Sequence, residues 1–270
     1  MPELPEVETS RRGIAPHVEG ATVSSIVIRE RRLRWPVSES LDLELPGTTV
    51  TSVGRRAKYL LINTTAGTAI MHLGMSGSVC IIDKGTPAGV HDHIDIEFDS
   101  GKALRFRDPR RFGSLHWSKD PLEHSLIKDL GPEPLNQDFD GHYLWVRSRG
   151  RRVAIKQFIM NAHVVVGVGN IYASESLFIA GIHPKRAAGR IALHRYEKLA
   201  AAIKDVLERA IKAGGTTLRD FYGGDGEAGY FQQQLEVYDR ADEHCRQCDT
   251  LIRSIVQGQR STYYCKRCQT

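Results

Sequence analysis

Leu130-Gly131-Pro132-Glu133-Pro134 is where the chain changes its period. On the N-terminal side, from about residue 21 to 117, short alternating or β-branched runs are broken by turn residues. Examples are Thr22-Val23-Ser24-Ser25-Ile26-Val27-Ile28, Tyr59-Leu60-Leu61-Ile62, His93-Ile94-Asp95-Ile96-Glu97-Phe98 and Ala103-Leu104-Arg105-Phe106. Asp99-Ser100-Gly101 between the last two is hairpin-turn chemistry, and several strands at this spacing predict a β-sandwich or barrel. On the C-terminal side the period becomes helical. Helices are predicted over 138–149, 153–162, 171–180 and 193–213, the third stopped by Gly181 with Pro184 beyond and the last by Gly214-Gly215. Thr216-Thr217 caps a predicted short helix over 218–222, and the glycine-rich stretch 223–229 reads as a flexible loop. No internal repeat is present. The expected class is α+β and multidomain, with domains at 1–131, 132–235 and 236–270.

The last of these carries four of the five cysteines, as Cys245-x2-Cys248-x16-Cys265-x2-Cys268. That is four-thiolate zinc spacing: each C-x2-C places two sulfurs on one tight turn, and two such turns close a tetrahedron. With no open ligand position, one Zn2+ there is structural. Two disulfides are the competing reading, disfavoured in a cytosolic chain. Between the two turns, 251–256 and 261–264 form a predicted hairpin, with Arg260 at its exposed tip. Cys80 stands apart and is expected to be a buried apolar residue.

The chain has 270 residues, 41% apolar and 26% charged, with a net charge of +5. This is a globular balance, and no run approaches the roughly 18 apolar residues of a membrane span. The acidic, proline-bearing start is the opposite of a secretory leader, so a cytoplasmic location is expected. The positive excess is clustered. Arg29, Arg31, Arg32 and Arg34 lie together, followed by Arg55, Arg56 and Lys58; six basic residues lie between 101 and 119, and five between 147 and 156. One such cluster reads as a solvated face; four of them, beside a zinc-type cysteine pattern, favour a polyanion partner.

Two local stretches bear on chemistry. Gly167-Val168-Gly169-Asn170-Ile171-Tyr172 lacks the third glycine of a dinucleotide fingerprint, and what remains is a tight turn opening a helix near Asn170. Such a helix start either is an ordinary cap or grips a phosphate. At the N-terminus, Met1-Pro2-Glu3-Leu4-Pro5-Glu6-Val7-Glu8 holds three carboxylates and two prolines. Pro5 is expected to push Leu4 out of the α region and open a helix that stops at Gly13, with Glu6 and Glu8 in its first turn. Pro2 and Glu3 fall outside that account.

Taken with Arg55-Arg56-Ala57-Lys58-Tyr59-Leu60, His72-Leu73-Gly74-Met75-Ser76-Gly77, Asp108-Pro109-Arg110-Arg111-Phe112-Gly113 and the cysteine pattern, these motifs resemble the bacterial formamidopyrimidine-DNA glycosylase family, in order and from end to end. Asn161-Ala162-His163 departs from it, since relatives more often carry an acid and a lysine there. The resemblance implies an N-terminal β-sandwich, a helical domain with a helix–two-turn–helix motif, and a zinc finger. It implies removal of oxidised purines, 8-oxoguanine and formamidopyrimidines, from double-stranded DNA by a monomer, followed by strand cleavage. By the same resemblance Pro2 is the nucleophile once Met1 is removed, Glu3 the general acid/base, and Lys58 and Arg260 the elimination donors. Met75, Arg110 and Phe112 fill the gap left by a flipped base. His91, Arg151, Lys156 and Asn170 contact the DNA backbone, and the loop 223–229 closes over the lesion. The resemblance also lets Glu6 place a water or hold Pro2, but complementing the helix end is the preferred reading of that residue. The alternatives are the endonuclease VIII branch, acting on oxidised pyrimidines, and a non-catalytic zinc-finger DNA-binding protein.

Overall fold

Glu3 and Glu6 start the first helix. In the computed structural model, which describes residues 2–215 and 235–270, helix α1 (Leu4–Val18) is capped at Glu3 by a reciprocal box. The Glu3 N–H donates to the Glu6 carboxylate at 2.8 Å, and Glu3 accepts from the backbone three residues on. Leu4 is therefore the first helical residue rather than an extended one, and the helix passes the predicted stop at Gly13. The reason is packing. Val7, Ile14 and Val18 are fully buried on one face, and burying such side chains is worth about 1.5–3 kcal/mol each. Gly13 costs the helix only about 1 kcal/mol.

The described residues form two compact units: 2–128 with 213–215, and 129–212 with 235–270. The first has eight strands in two antiparallel sheets. The strands are β1 (Val23–Ile28), β2 (Val50–Arg56), β3 (Tyr59–Thr64), β4 (Thr68–His72), β5 (Ser78–Asp83), β6 (Asp92–Phe98), β7 (Lys102–Arg107) and β8 (Ser114–Ser118). Their order is β1-β6-β7-β5 in one sheet and β2-β3-β4-β8 in the other. Leu60, Ile62 and Met71 from one sheet and Ile94, Phe98, Leu104 and Phe106 from the other join Val7, Ile14 and Val18 of α1 in one core. A short helix, α2 (Ser40–Glu44), adds Leu41 to it. Cys80 of β5 is half-buried, not buried as expected, because it pairs with Arg105 near the sheet edge.

The registers also decide which cations are spent inside the protein. Asp95 of β6 lies opposite Arg105 of β7, which clamps it with two hydrogen bonds of 2.8–2.9 Å, while Arg29 reaches the same carboxylate at 2.6 Å. Arg111 and Arg32 pair with Glu30, Lys102 with Asp83 and Lys119 with Glu44. Among the described residues, Arg107 and Arg110 are the members of the 101–119 cluster with no ion pair. Much of the clustered charge is thus internal pairing rather than a polyanion footprint.

Glu8 ties α1 to β2. It accepts from Arg11 and Arg12 at 2.8–3.0 Å and from Arg55 at 3.3 Å. Burial pushes its carboxyl up, but the hydrogen bonds of Arg11 and Arg12 and the charges of Arg11 and Arg55 outweigh it, leaving a pKa lowered from 4.5 to about 2. A depressed folded-state value means the stabilisation is complete above 4.5 and is lost as pH falls through about 2. Urea unfolding of Glu8→Gln is therefore expected to show a flatter acid limb across that window than the unsubstituted protein. Superimposable limbs would contradict the assignment.

The second unit is built on helices α3 (Gly141–Ser148), α4 (Ile155–Ile159), α5 (Asn170–Ile179) and α6 (Leu193–Lys212). Asp140 caps α3 by accepting from Tyr143 N at 2.7 Å. A Cβ at Gly141 would collide with the backbone of Glu197, so glycine is what lets α3 lie against α6. Helix α4 is shorter than predicted: Ala154 pairs with Ala187, and Asn161 turns the chain by accepting from His163 N. No helix among the described residues is long and apolar enough to cross a membrane.

The same unit contains the cysteine module. Strands β9 (Arg253–Gln257) and β10 (Arg260–Tyr264) form its hairpin, and Gly258 and Gln259, both at φ near +60°, make the tight turn. Val237, Cys245, Ile252 and Cys265 pack on Phe178 of α5. Gln269 locks the module down, accepting from Cys265 N and donating to Ile182 O.

Candidate functional site

Pro2 and Glu3 are buried at the start of α1, beside buried Glu6. A Cβ on Gly215 would stand 3.3–3.4 Å from the Glu6 side chain, so the glycine lets the chain pass close to it. Two buried carboxyl groups thus stand one and four residues after Pro2. Pro2 nitrogen is a peptide nitrogen while Met1 is attached, and a secondary amine once it is removed. An α-amine has a pKa of about 7.7–8.0 against ~10.4 for a lysine, so a useful fraction, roughly a tenth or more, is neutral and nucleophilic near pH 7. The short helix 218–222 and the loop 223–229 lie outside the described residues.

Lys58 sits in the turn joining β2 and β3, where Ala57 adopts φ +55° and Arg55 donates to Ala57 O at 2.9 Å. Next to it His72 is held neutral. Burial first, then the charges of Lys58 and Arg34, lower its pKa to about 4. Its Nδ1 accepts from Gly74 N at 2.9 Å, which fixes the start of the next loop.

That loop and its neighbour carry a small exposed cluster. Met75 follows β4 and is 40% exposed; Phe112 precedes β8 and is 42% exposed. The Arg110 guanidinium lies 4.9 Å from the Phe112 ring centre. The loops touch through their backbones, since a Cβ on Gly74 would meet Gly113 N and Phe112 C at 2.5 Å. Two large apolar side chains and a cation, held up to solvent, suit insertion between stacked bases. His91 is half-buried at the edge of β6, beside a cleft of about 440 Å³ lined by Arg29, His93 and Arg111.

In the second unit Arg151 is exposed on the segment after α3, with no ion pair among the described residues. Lys156 departs from its expected place. It is 1% exposed, and its ammonium donates to Asn170 Oδ1 at 2.6 Å, Thr262 Oγ1 at 2.8 Å and Ser261 O at 3.2 Å. A buried ammonium must be saturated with acceptors, and those acceptors hold it inside the unit. Asn170, the first residue of α5, turns its amide to Ser261 O at 3.0 Å as well. The hairpin that presents exposed Arg260 is thus bolted to α4 and α5 within this unit. Sequence spacing could not reveal this, since the partners lie 105 and 91 residues apart. Lys156→Met strands at least three acceptors, and is expected to destabilise this unit by roughly 1–3 kcal/mol. Thermal unfolding checks it; an unchanged midpoint would refute the bolt.

The sulfur atoms of Cys245, Cys248, Cys265 and Cys268 lie within 4.8 Å of one another, with Cys248–Cys265 at 3.4 Å and Cys245–Cys268 at 3.9 Å. Tetrahedral zinc with Zn–S near 2.3 Å needs sulfurs of about this separation, so the four residues fit one structural Zn2+.

Comparison with known proteins bears on all three parts. Residues 1–115 match the formamidopyrimidine-DNA glycosylase N-terminal domain, 130–222 the formamidopyrimidine-DNA glycosylase H2TH domain, and 242–270 a zinc finger found in FPG and IleRS. A formamidopyrimidine-DNA glycosylase of Pseudomonas fluorescens (strain SBW25) is 61% identical over 269 residues, covering 100% of both chains. Among solved structures, a Lactococcus lactis FPG mutant in complex with a Fapy-dG-containing DNA matches with a TM-score of 0.92 at 33% identity, and covers 100% of both chains. The Lactococcus lactis protein in complex with an abasic-site-containing DNA matches at the same score, identity and coverage.

Proposed function

Because the chain belongs to the formamidopyrimidine-DNA glycosylase family, we propose that it excises oxidised purines from double-stranded DNA and then cuts the strand. The observation that carries this reading is the buried Glu3–Glu6 box that directly follows buried Pro2 at the head of α1. A pure binding protein has no use for a buried carboxylate pair next to its second residue.

After Met1 is removed, the neutral Pro2 nitrogen attacks the sugar C1′. The C1′–base bond breaks, its electron pair leaves with the purine, and the purine takes up a proton. Glu3 protonates O4′ as the ring opens and the amine loses its own proton, leaving an iminium at C1′. A secondary amine forms this cation without any further protonation. The iminium acidifies C2′–H, so loss of that proton expels the 3′ phosphate, and a second elimination expels the 5′ phosphate. Lys58 and Arg260 serve the two eliminations, and water releases Pro2. Before this, the lesion leaves the stack at a cost of a few kcal/mol. Met75 and Phe112 replace the lost stacking while Arg110 hydrogen-bonds the orphaned base. His91, Arg151 and Asn170 hold phosphates. Lys156 acts one step back, by positioning Asn170 and the Arg260 hairpin. Zn2+ on the four cysteines keeps that hairpin folded. The protein works as a monomer in the cytoplasm, where its DNA lies.

Parallel excision assays on duplexes carrying 8-oxoguanine and thymine glycol test the substrate class. Faster release of 8-oxoguanine is expected; a strong preference for thymine glycol would move the protein to the endonuclease VIII branch.

A further inference from the structure

Asp108 is 0% exposed, in the stretch between β7 and the exposed Arg110–Phe112 pair. A buried carboxylate is costly unless its lone pairs are filled. Among the described residues they are filled by neutral donors from two loops rather than by a cation. Oδ2 accepts from Gly113 N at 2.7 Å; Oδ1 accepts from Arg110 N at 3.3 Å and from the Ser76 hydroxyl at 2.9 Å. Ser76, 6% exposed, belongs to the other loop and directly follows Met75. Its oxygen also accepts from Arg110 N at 3.3 Å. The Asp108 backbone is tied as firmly: its N–H donates to His91 O at 3.0 Å, and its carbonyl meets the His93 ring at 2.8 Å.

We propose that Ser76 and Asp108 form a latch that joins the Met75 loop to the Arg110–Phe112 loop, so that the three side chains enter DNA as one rigid wedge. This rests on the function proposed above. Met75 stands on one connection and Arg110 and Phe112 on another, and prying a base from the stack loads both. If the loops yield separately, part of the insertion energy goes into displacing and re-ordering them instead of into the duplex. The buried Ser76–Asp108 bond is the direct side-chain link between the two. It also places His91 in the same body through Asp108. Asparagine is a poor replacement for Asp108: with its oxygen on the Gly113 N–H, its amide nitrogen would reverse the Ser76 bond and meet the Arg110 N–H donor to donor. Ser76 and Asp108 are therefore positioning residues. Neither needs to touch the lesion.

The test compares two substrates under single-turnover conditions: a duplex with 8-oxoguanine opposite cytosine, where a base must be displaced, and a single-stranded oligonucleotide with a preformed abasic site, where none is. Ser76→Ala is expected to slow excision from the duplex about tenfold or more, the scale of one lost hydrogen bond to a charged acceptor. Nicking of the single-stranded abasic site should fall much less. Asp108→Asn is expected to give the same split, with a larger loss on the duplex. Equal losses on both substrates would mean a merely structural role, and no loss on the duplex would mean no latch; either overturns the proposal. An unsubstituted protein that acts on neither substrate would overturn the proposed function itself.

Discussion

Protein that retains Met1 is expected to form no borohydride-stable adduct with an 8-oxoguanine duplex, while the processed form is trapped. With Met1 attached, the Pro2 nitrogen is an amide whose lone pair is delocalised into the carbonyl, and it can neither attack C1′ nor form an iminium. Removing a nucleophile in this way typically costs a factor of about 10³ or more. Mass spectrometry of the sample, read alongside trapping yield, gives the correlation directly. Pro2→Gly separates the chemistry from the fold. A terminal glycine still offers an amine, but a primary one, on a more mobile residue, with nothing to fix its approach. Its trapping should fall sharply while the helix Leu4–Val18, which is set by Glu3 and Glu6, survives. Equal trapping by Pro2→Gly, or full activity in a Met1-retaining sample, would remove Pro2 from the mechanism.

Chelation of the metal should have the next largest effect. A structural Zn2+ in a small finger contributes on the order of 10–16 kcal/mol of binding free energy to the fold it closes. The apolar contacts of Val237, Cys245, Ile252 and Cys265 with Phe178 are too few to replace it. Without the metal the β9–β10 hairpin loses its closure, and with it go Arg260 and the Ser261 and Thr262 acceptors that engage Lys156 and Asn170. Binding to damaged duplex is expected to fall by at least about a hundredfold once these contacts are lost. The edge-on pair Tyr238–Tyr263, with centroids 5.1 Å apart, supplies a near-ultraviolet circular dichroism signal that should vanish with it. Cys268→Ser should reproduce both changes. The unit of residues 2–128 has its own core, so far-ultraviolet signal from its strands should persist. Retention of duplex binding after complete zinc removal would show that the finger is not needed.

The candidate site was legible wherever its chemistry depends on residues close in sequence. Cys245, Cys248, Cys265 and Cys268 announce themselves by spacing, because two tight turns are all a tetrahedral thiolate site needs. The Arg260 hairpin and the helix beginning at Asn170 were readable for the same reason, as turn and cap chemistry are local. Met75 and Phe112 were not readable from pattern alone. A methionine or phenylalanine beside a strand reads as core, and only the family resemblance singled them out. Their exposure of 40% and 42% is a property of the folded surface.

The sequence by itself determined the division into a strand-rich part, a helical part and a zinc module, which follows from period and spacing; the role proposed for Pro2 came only with the family resemblance. Tertiary structure alone decided which charges remain for DNA. Arg29 finds Asp95 across 66 residues and Arg111 finds Glu30 across 81, pairings made by segments the fold brings together and invisible to composition. It also carried α1 past Gly13, drew Lys156 inside among acceptors, and set Ser76 against Asp108. In each case burial raised the value of a long-range contact above the local preference, because a polar group removed from water must find its partner wherever the fold supplies one.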